Sequence, residues 1–290
     1  MIGVRDNSRF SRQGLFAKYV LALVGLVVFV LAVNGALETW ISYSATKTSL
    51  TDAMSEKAEA TAKRIQQSIS DLERQISWVT RASAVKLDDH RADYAQLLNA
   101  QPAVSQLSLL SGQGRELLRL SRTTILVSGG ADYSRDLRFT ETLTKGVNYA
   151  PAEFRSGQPQ MSISVSHSGF NAGVTVAEID LRFLSDFLGD AQVGKATFAY
   201  VVDSRGKVLA TSAKGPDIGK DISSLPQVAA VMTPAGLAPS SGTDAEGNSV
   251  LTAASTVPKL GWTVFFEQPT AQALAPIRDQ LLRVALLIAL

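Results

Sequence analysis

Apolar residues run from Tyr19 to Leu37 (YVLALVGLVVFVLAVNGAL), broken only by glycine and Asn34. A helix needs about 20 apolar residues to cross a hydrocarbon core, so the run predicts a membrane-spanning helix over 19–37. A second run, LLRVALLIAL, starts at Leu281 and predicts the beginning of another membrane helix over 280–290, at roughly half the spanning length. The pattern between them is different. Leu50, Met54, Thr61, Ile65, Ile69, Leu72, Ile76 and Val79 form a stripe whose steps from Ile65 onward are four, three, four, three. That is helical spacing, close to a coiled-coil seam. It predicts one long stalk helix over 38–89, and the stretch from Ser42 to Lys86, free of proline, alone reaches roughly 65 Å at 1.5 Å per residue. Its distal half is expected to pack on its own domain, with pairing to a second copy nearer the apolar run.

Beyond the stalk the period shortens to two. Gln106–Arg122 (QLSLLSGQGRELLRLSR) reads as strand, glycine turn, strand, and Ala199–Ser212 (AYVVDSRGKVLATS) has the same plan. Gly114-Arg115 and Gly206-Lys207 hold matching places about 90 residues apart, which predicts two small domains in tandem. A helix-compatible segment follows each hairpin, at 136–145 and 225–232, and LRFLSDFL (181–188) predicts a connecting helix. Further strands are expected at 161–167, 174–180, 250–256 and 262–267, separated by turn signals.

Charge sets the direction of the chain. Arg5, Arg9, Arg12 and Lys18 precede the first apolar run with only Asp6 against them, while Glu38, Trp40 and Tyr43 follow it. Basic residues beside a span stay cytoplasmic, and Trp and Tyr favour the boundary with water. The short N-terminus, 1–18, is therefore expected inside and residues 38–279 outside. The run is longer than the 7–15 residue core of a cleaved signal peptide, which points to an uncleaved anchor. Composition adds two exclusions. A net charge of +2 with 46% hydrophobic residues is too balanced to suggest nucleic acid as a partner. The absence of cysteine removes disulfides, thiolate catalysis and cysteine metal sites.

The order of elements, with the phrases FAYVVDSRGKVLATS (198–212), IGKD (218–221) and LGWTVFFEQP (260–269), resembles the double Cache, or PAS-like, extracytoplasmic sensor domains of bacterial signalling proteins. The resemblance covers about residues 42–275. It implies an α+β fold with two tandem PAS-like antiparallel sheets, a distal subdomain over 90–180 and a proximal one over 181–275. It also implies a ligand-sensing receptor that binds a small solute in the distal subdomain and passes the signal to a cytoplasmic output domain beyond residue 290. A histidine kinase is the output expected first. A chemoreceptor, a nucleotide cyclase, or a tethered protein-binding module without a small ligand are the alternatives, and a homodimer is the expected assembly.

Some family members that bind amino acids carry a tyrosine, an arginine five positions later, two aromatics soon after, and an aspartate ending a later strand. Here Tyr133 and Arg138 keep that spacing and Asp180 ends the strand VTVAEID, whereas Thr140 and Glu141 stand where the aromatics would be, beside Phe139. The candidate ligand contacts are thus Tyr133, Arg138, Phe139, Tyr149 and Asp180. An arginine fork grips a carboxylate bidentately, and the missing aromatics shift the expected ligand from an amino acid towards a carboxylate or other small anion. Plainer roles stand beside these. Arg138 fits a solvated helix face, Asp180 fits a cap on the helix after it, and Tyr133 and Tyr149 fit packing positions. Ser162, Ser164, Ser166 and His167 mark a polar stretch of strand that lines a pocket or meets water. His90 and His167 lack ligand-type spacing, and no nucleophile or phosphate-loop motif occurs. The sequence predicts no catalytic residue, no metal and no cofactor.

Overall fold

The computed structural model describes residues 10–81, 87–122, 125–126, 130–167, 172–191, 197–212, 215–233, 236, 239–273 and 275. The second apolar run, 281–290, lies outside them. Helix α1 runs without interruption from Phe10 to Arg81, as a stretch free of proline allows. Within residues 18–80 it is apolar enough to cross a membrane, with a mean hydropathy of 2.7 over its best window, and that window is not buried by protein. Leu21, Leu23 and Phe29 are 76%, 65% and 66% exposed, so lipid is the solvent their side chains fit.

Residues Thr51–Thr270 form one compact unit. In it the α1 stripe turns inward: Met54, Thr61, Ile65, Ile69, Leu72, Ile76 and Val79 are all buried. This is the own-domain packing expected of the distal half of the stalk. Residues 87–100, whose first three positions lie in the predicted stalk, form a separate helix, α2 (Leu87–Ala100).

The first sheet has seven strands: β1 (Val104–Ser111), β2 (Glu116–Ser121), β3 (Ile125–Leu126), β4 (Val147–Tyr149), β5 (Glu153–Arg155), β6 (Gln158–His167) and β7 (Gly173–Asp180). Their order is β3-β2-β1-β7-β6-β4, with β5 also paired to β6. The observed pairings are antiparallel, and β7 sits at the centre between β1 and β6. Its alternation sorts the two faces. Thr175 meets the Tyr94 hydroxyl of α2 at 2.6 Å. Val174 and Val176 pack with Leu110 and with Phe139 of α3 (Leu137–Lys145). Neighbouring strand residues point to opposite faces, so α2 and α3 cover opposite sides of this distal sheet.

Helix α4 (Phe183–Asp190) connects to the proximal sheet, made of β8 (Phe198–Val202), β9 (Val208–Thr211), β10 (Ser241–Thr243), β11 (Ser249–Val257) and β12 (Trp262–Pro269), with α5 (Pro226–Val231) inserted after β9. The order is β10-β11-β12-β8-β9, and α6 (Thr270–Ala273) follows β12 directly. The duplication read from the two glycine turns holds at the level of single hydrogen bonds. The Gly114 amide donates to Ser111 and the Gly206 amide to Asp203, and each glycine carbonyl then accepts from the second strand-like segment, at Tyr133 or Ile222. Both glycines have φ of +81°. An added Cβ would lie 2.6 Å from the Ser134 nitrogen in one case and 2.7 Å from the Ser223 Cβ in the other.

Candidate ligand-binding site

Helix α3 begins beside the distal sheet because Asp136 caps it: one carboxylate oxygen accepts the Arg138 amide at 2.8 Å. Phe139 anchors the helix on Val174 and Val176, which leaves its first turn overhanging the β6 end of the sheet. Under that turn lies a cavity of about 400 Å³. Asp136 and Arg138 line it from α3, Ala150–Glu153 and Arg155 from the β4–β5 connection and β5, Gln160 and Ser162 from β6, and Glu178 from β7. Arg205, from the β8–β9 turn of the proximal subdomain, completes the wall.

Arg205 pairs with Asp203 at 3.0 Å, and the other charges in this wall pair with one another. The Arg138 guanidinium clasps Asp136 through Nε at 3.0 and 3.1 Å and Nη2 at 2.6 Å, and Nη1 stands 3.7 Å from Glu178. The second Glu178 oxygen accepts from Arg155 at 2.8 Å, so this carboxylate bridges two arginines. The Arg138 hydrogen bonds hold the Asp136 carboxyl below its ordinary range, against a smaller opposing effect of burial. Arg138 is held firmly in its cationic form, first by the Asp136 hydrogen bonds. Three guanidiniums (Arg138, Arg155, Arg205) face three carboxylates (Asp136, Glu153, Glu178) across the cavity. A ligand carboxylate must therefore compete with Asp136 and Glu178 for Arg138, and a ligand cation with Arg138 and Arg155 for Glu178.

The sheet face that Ser162 shares also carries buried polar groups without partners. Ser108 of β1 and Ser164 of β6 both stand opposite Val176 in register, so the three share one row across the sheet. The two serines are 2% and 0% exposed, and neither hydroxyl has a hydrogen-bond partner among the described residues. Ser162, two positions from Ser164 on the same face, lines the cavity beside Glu178. A buried hydroxyl left unpaired costs about 1–3 kcal/mol, and such groups need explaining in a native core.

The five sequence candidates part company here. Arg138 lines the cavity, and Tyr133 stands beside it, its ring 5.3 Å below the guanidinium and its hydroxyl accepting from Arg119 at 3.1 Å. Phe139 is 4% exposed and belongs to the core beneath α3. The Tyr149 hydroxyl donates to Glu73 of α1, and burial first, then Glu73, push its ionisation up. Asp180 accepts the Arg182 amide at 3.0 Å and the Arg182 guanidinium at 2.7 Å, holding the turn into α4. None of these last three lines the cavity. Sequence reading passed over Glu178, Arg155 and Arg205. The signal for Glu178 was present: it continues the inward positions of Val174 and Val176 along VTVAEID, where a charge is out of place. Nothing local marks Arg205, which arrives from the other subdomain.

The Cache domain family model matches residues 42–277. The chain belongs to that family. Comparison with curated proteins gives no match. Among solved structures, the ligand-binding domain of the Pseudomonas aeruginosa PAO1 amino-acid chemoreceptor PctC, in complex with GABA, superposes with a TM-score of 0.58 at 15% identity, covering 76% of this chain and 99% of that one. The ligand-binding domain of the Pseudomonas fluorescens chemoreceptor CtaA, in complex with L-isoleucine, gives 0.59 at 16% identity, over 81% and 98%. An extracellular domain assigned to a histidine kinase, mmHK1S-Z2, gives 0.58 at 13% identity, over 77% and 99%. At these identities the likeness shows the shared fold.

Proposed function

We propose, with membership of the Cache family as the premise, that this chain is the sensing region of a membrane-anchored signal-transduction receptor and that its distal cavity binds a small solute. The observation that carries the reading is the cavity of about 400 Å³ with Arg138, Ser162 and Glu178 in its wall. Pockets for small ligands are concave and fix orientation with a few convergent polar groups. Arg138 grips a carboxylate or other small anion after giving up part of its contact with Asp136, and Ser162 supplies a further hydrogen bond. The fold neighbours PctC and CtaA were solved with GABA and L-isoleucine, so amino acids join carboxylates among the ligands to be tried.

The exposed apolar surface of residues 19–37 supports anchoring in the inner membrane, with the Cache unit in the periplasm. Ligand binding biases two arrangements of the unit that differ in affinity, and the difference passes along the chain to a cytoplasmic output domain. A histidine kinase in a homodimer is the output proposed first, and a chemoreceptor or cyclase second. A thermal-shift screen of the chain against carboxylates, amines, amino acids and sugars tests the site. Stabilisation by at least one class is expected, with loss of roughly tenfold or more in affinity on Arg138→Ala, the size of one charge-assisted hydrogen bond. Hits that bind Arg138→Ala and the parent chain alike would move the site elsewhere.

A further inference from the structure

The least accessible acid in the proximal subdomain is Glu267 of β12, 1% exposed. It stands in register between Phe198 of β8 and Thr252 of β11, on the sheet face that carries Tyr200, Val250 and Phe265. One carboxyl oxygen, Oε1, accepts from the Tyr200 hydroxyl at 2.7 Å and from the Gln227 amide of α5 at 2.9 Å. The same Gln227 amide donates to the Thr243 carbonyl at 2.8 Å, and its oxygen accepts the Thr243 amide at 3.2 Å. One side chain thus ties β10 and β12 to α5. Room for it exists because position 242 is glycine, where a Cβ would lie 2.4 Å from the Gln227 oxygen.

The groups facing this carboxyl are neutral or acidic. From β8 comes a tyrosine whose own ionisation is pushed well up by burial, from α5 an amide, from β11 the Thr252 hydroxyl, and from the β10–β11 turn Asp244, another acid. None of the ion pairs among the described residues involves Glu267. Burial therefore dominates and raises the carboxyl to about 7, with the hydrogen bonds from Tyr200 and Gln227 opposing it. The Thr252 hydroxyl, opposite Glu267 on β11, is buried and makes no hydrogen bond among the described residues, so it is free to donate to a carboxylate or accept from a carboxylic acid. Two residues beyond Glu267, β12 ends at Pro269 and α6 begins.

We propose that the Tyr200–Gln227–Thr252–Glu267 cluster is a proton-binding site, which gives the receptor a second input, external pH, read by the proximal subdomain at the strand leading out of it. Only the word input rests on the sensor reading above; the proton site itself does not depend on the distal cavity. Protonation leaves the buried carboxyl neutral and able to donate to Thr252. Ionisation places a charge among Phe198, Phe265 and Val250, offset only by the hydrogen bonds that Tyr200 and Gln227 donate to it.

The test is thermal unfolding of the full chain in lipid nanodiscs at pH values from about 5 to about 8. The unfolding midpoint of the parent should fall across this range relative to that of Glu267→Gln, which should lack this component. Parallel curves for the two would overturn the proposal. Should Glu267→Gln fail to fold, Tyr200→Phe serves: removing one donor to the ionised form should move the titration midpoint up by about one pH unit, and an unmoved midpoint would count against the site. An infrared carbonyl band of a buried carboxylic acid, lost as the pH rises and absent from Glu267→Gln, reads the proton directly. Arg138→Ala should leave the titration intact; its loss in that variant would refute a separate proximal site. A failed ligand screen alongside an intact Glu267 titration would remove the distal reading alone.

Discussion

At the scale of single residues, Arg138 shows how much spacing reveals and where it stops. Its spacing from Tyr133 singled the two out together, and they do lie together, the guanidinium 5.3 Å from the ring. The pairing with Glu178 was not legible, because alternation says that Glu178 faces inward but not which side chain of another element meets it. The clasp between Arg138 and Asp136 gives a sharp expectation. Asp136→Ala removes a helix cap and should cost about 1–2 kcal/mol in urea unfolding. The Asp136 carboxyl is held below its ordinary 3.8. Its contribution is therefore present above that value and fades as the pH falls through the lowered folded value. Asp136→Asn keeps an oxygen at the cap but gives up the charge that occupies the Arg138 fork. A carboxylate ligand should then bind more tightly, by about 3–10-fold in calorimetry; weaker binding would mean that Asp136 positions Arg138 instead of restraining it. Glu267 has the opposite sign. Its folded value of about 7 lies above the ordinary 4.5, so its stabilisation is complete below 4.5 and is lost as the pH rises to 7, about 3 kcal/mol in all.

At the scale of elements, the long periodic pieces were legible and the short ones were not. The α1 stripe, β6, β7, β11 and β12 carry enough alternation to announce themselves. Strands β4 and β5 have three residues each, flank Pro151, and exist because β6 offers them an edge to pair with; no local pattern encodes such a strand. They also supply one wall of the cavity, so the site was less legible than the fold. The duplicated glycine turns were legible because their need is local. Gly206 has a positive φ and no room for a Cβ, whereas Gly157 has φ of +78° with nothing within 4 Å of the added atom. Gly157→Ala should cost about 1 kcal/mol, the conformational part alone. Gly206→Ala should cost about 2–4 kcal/mol, since the Ser223 segment must also move. Equal losses in chemical denaturation would show that the close approach at Gly206 relaxes freely.

At the scale of the whole Cache unit, α1 is the element that both subdomains share. Glu73 shows it most directly: its carboxylate accepts from Tyr149 on β4 of the distal subdomain and pairs at 3.2 Å with Lys259 from the β11–β12 turn of the proximal one. Farther along, Arg64 lies 4.2 Å above the Phe187 ring and pairs with Asp190, both on the connecting helix α4. The sequence stripe predicted that this helix face is buried, but a stripe carries no address, and only the folded chain shows that one carboxylate serves two sheets. The arrangement has a consequence for signalling. A shift of β4, which adjoins the Ala150–Glu153 wall of the distal cavity, pulls on the same side chain that holds the proximal turn. Glu73→Ala should therefore raise amide exchange in two places at once, strand β4 (Val147–Tyr149) and residues 258–261, by roughly threefold to tenfold for a partly exposed ion pair and one hydrogen bond. Glu73→Gln keeps an acceptor for Tyr149 but no charge for Lys259, and should raise exchange at 258–261 while leaving β4 near its parent value. If Glu73→Ala loosens β4 alone, the two subdomains are not joined through this side chain, and a ligand in the distal cavity must reach the proximal sheet by the Arg205 contact with the Ala152 carbonyl instead.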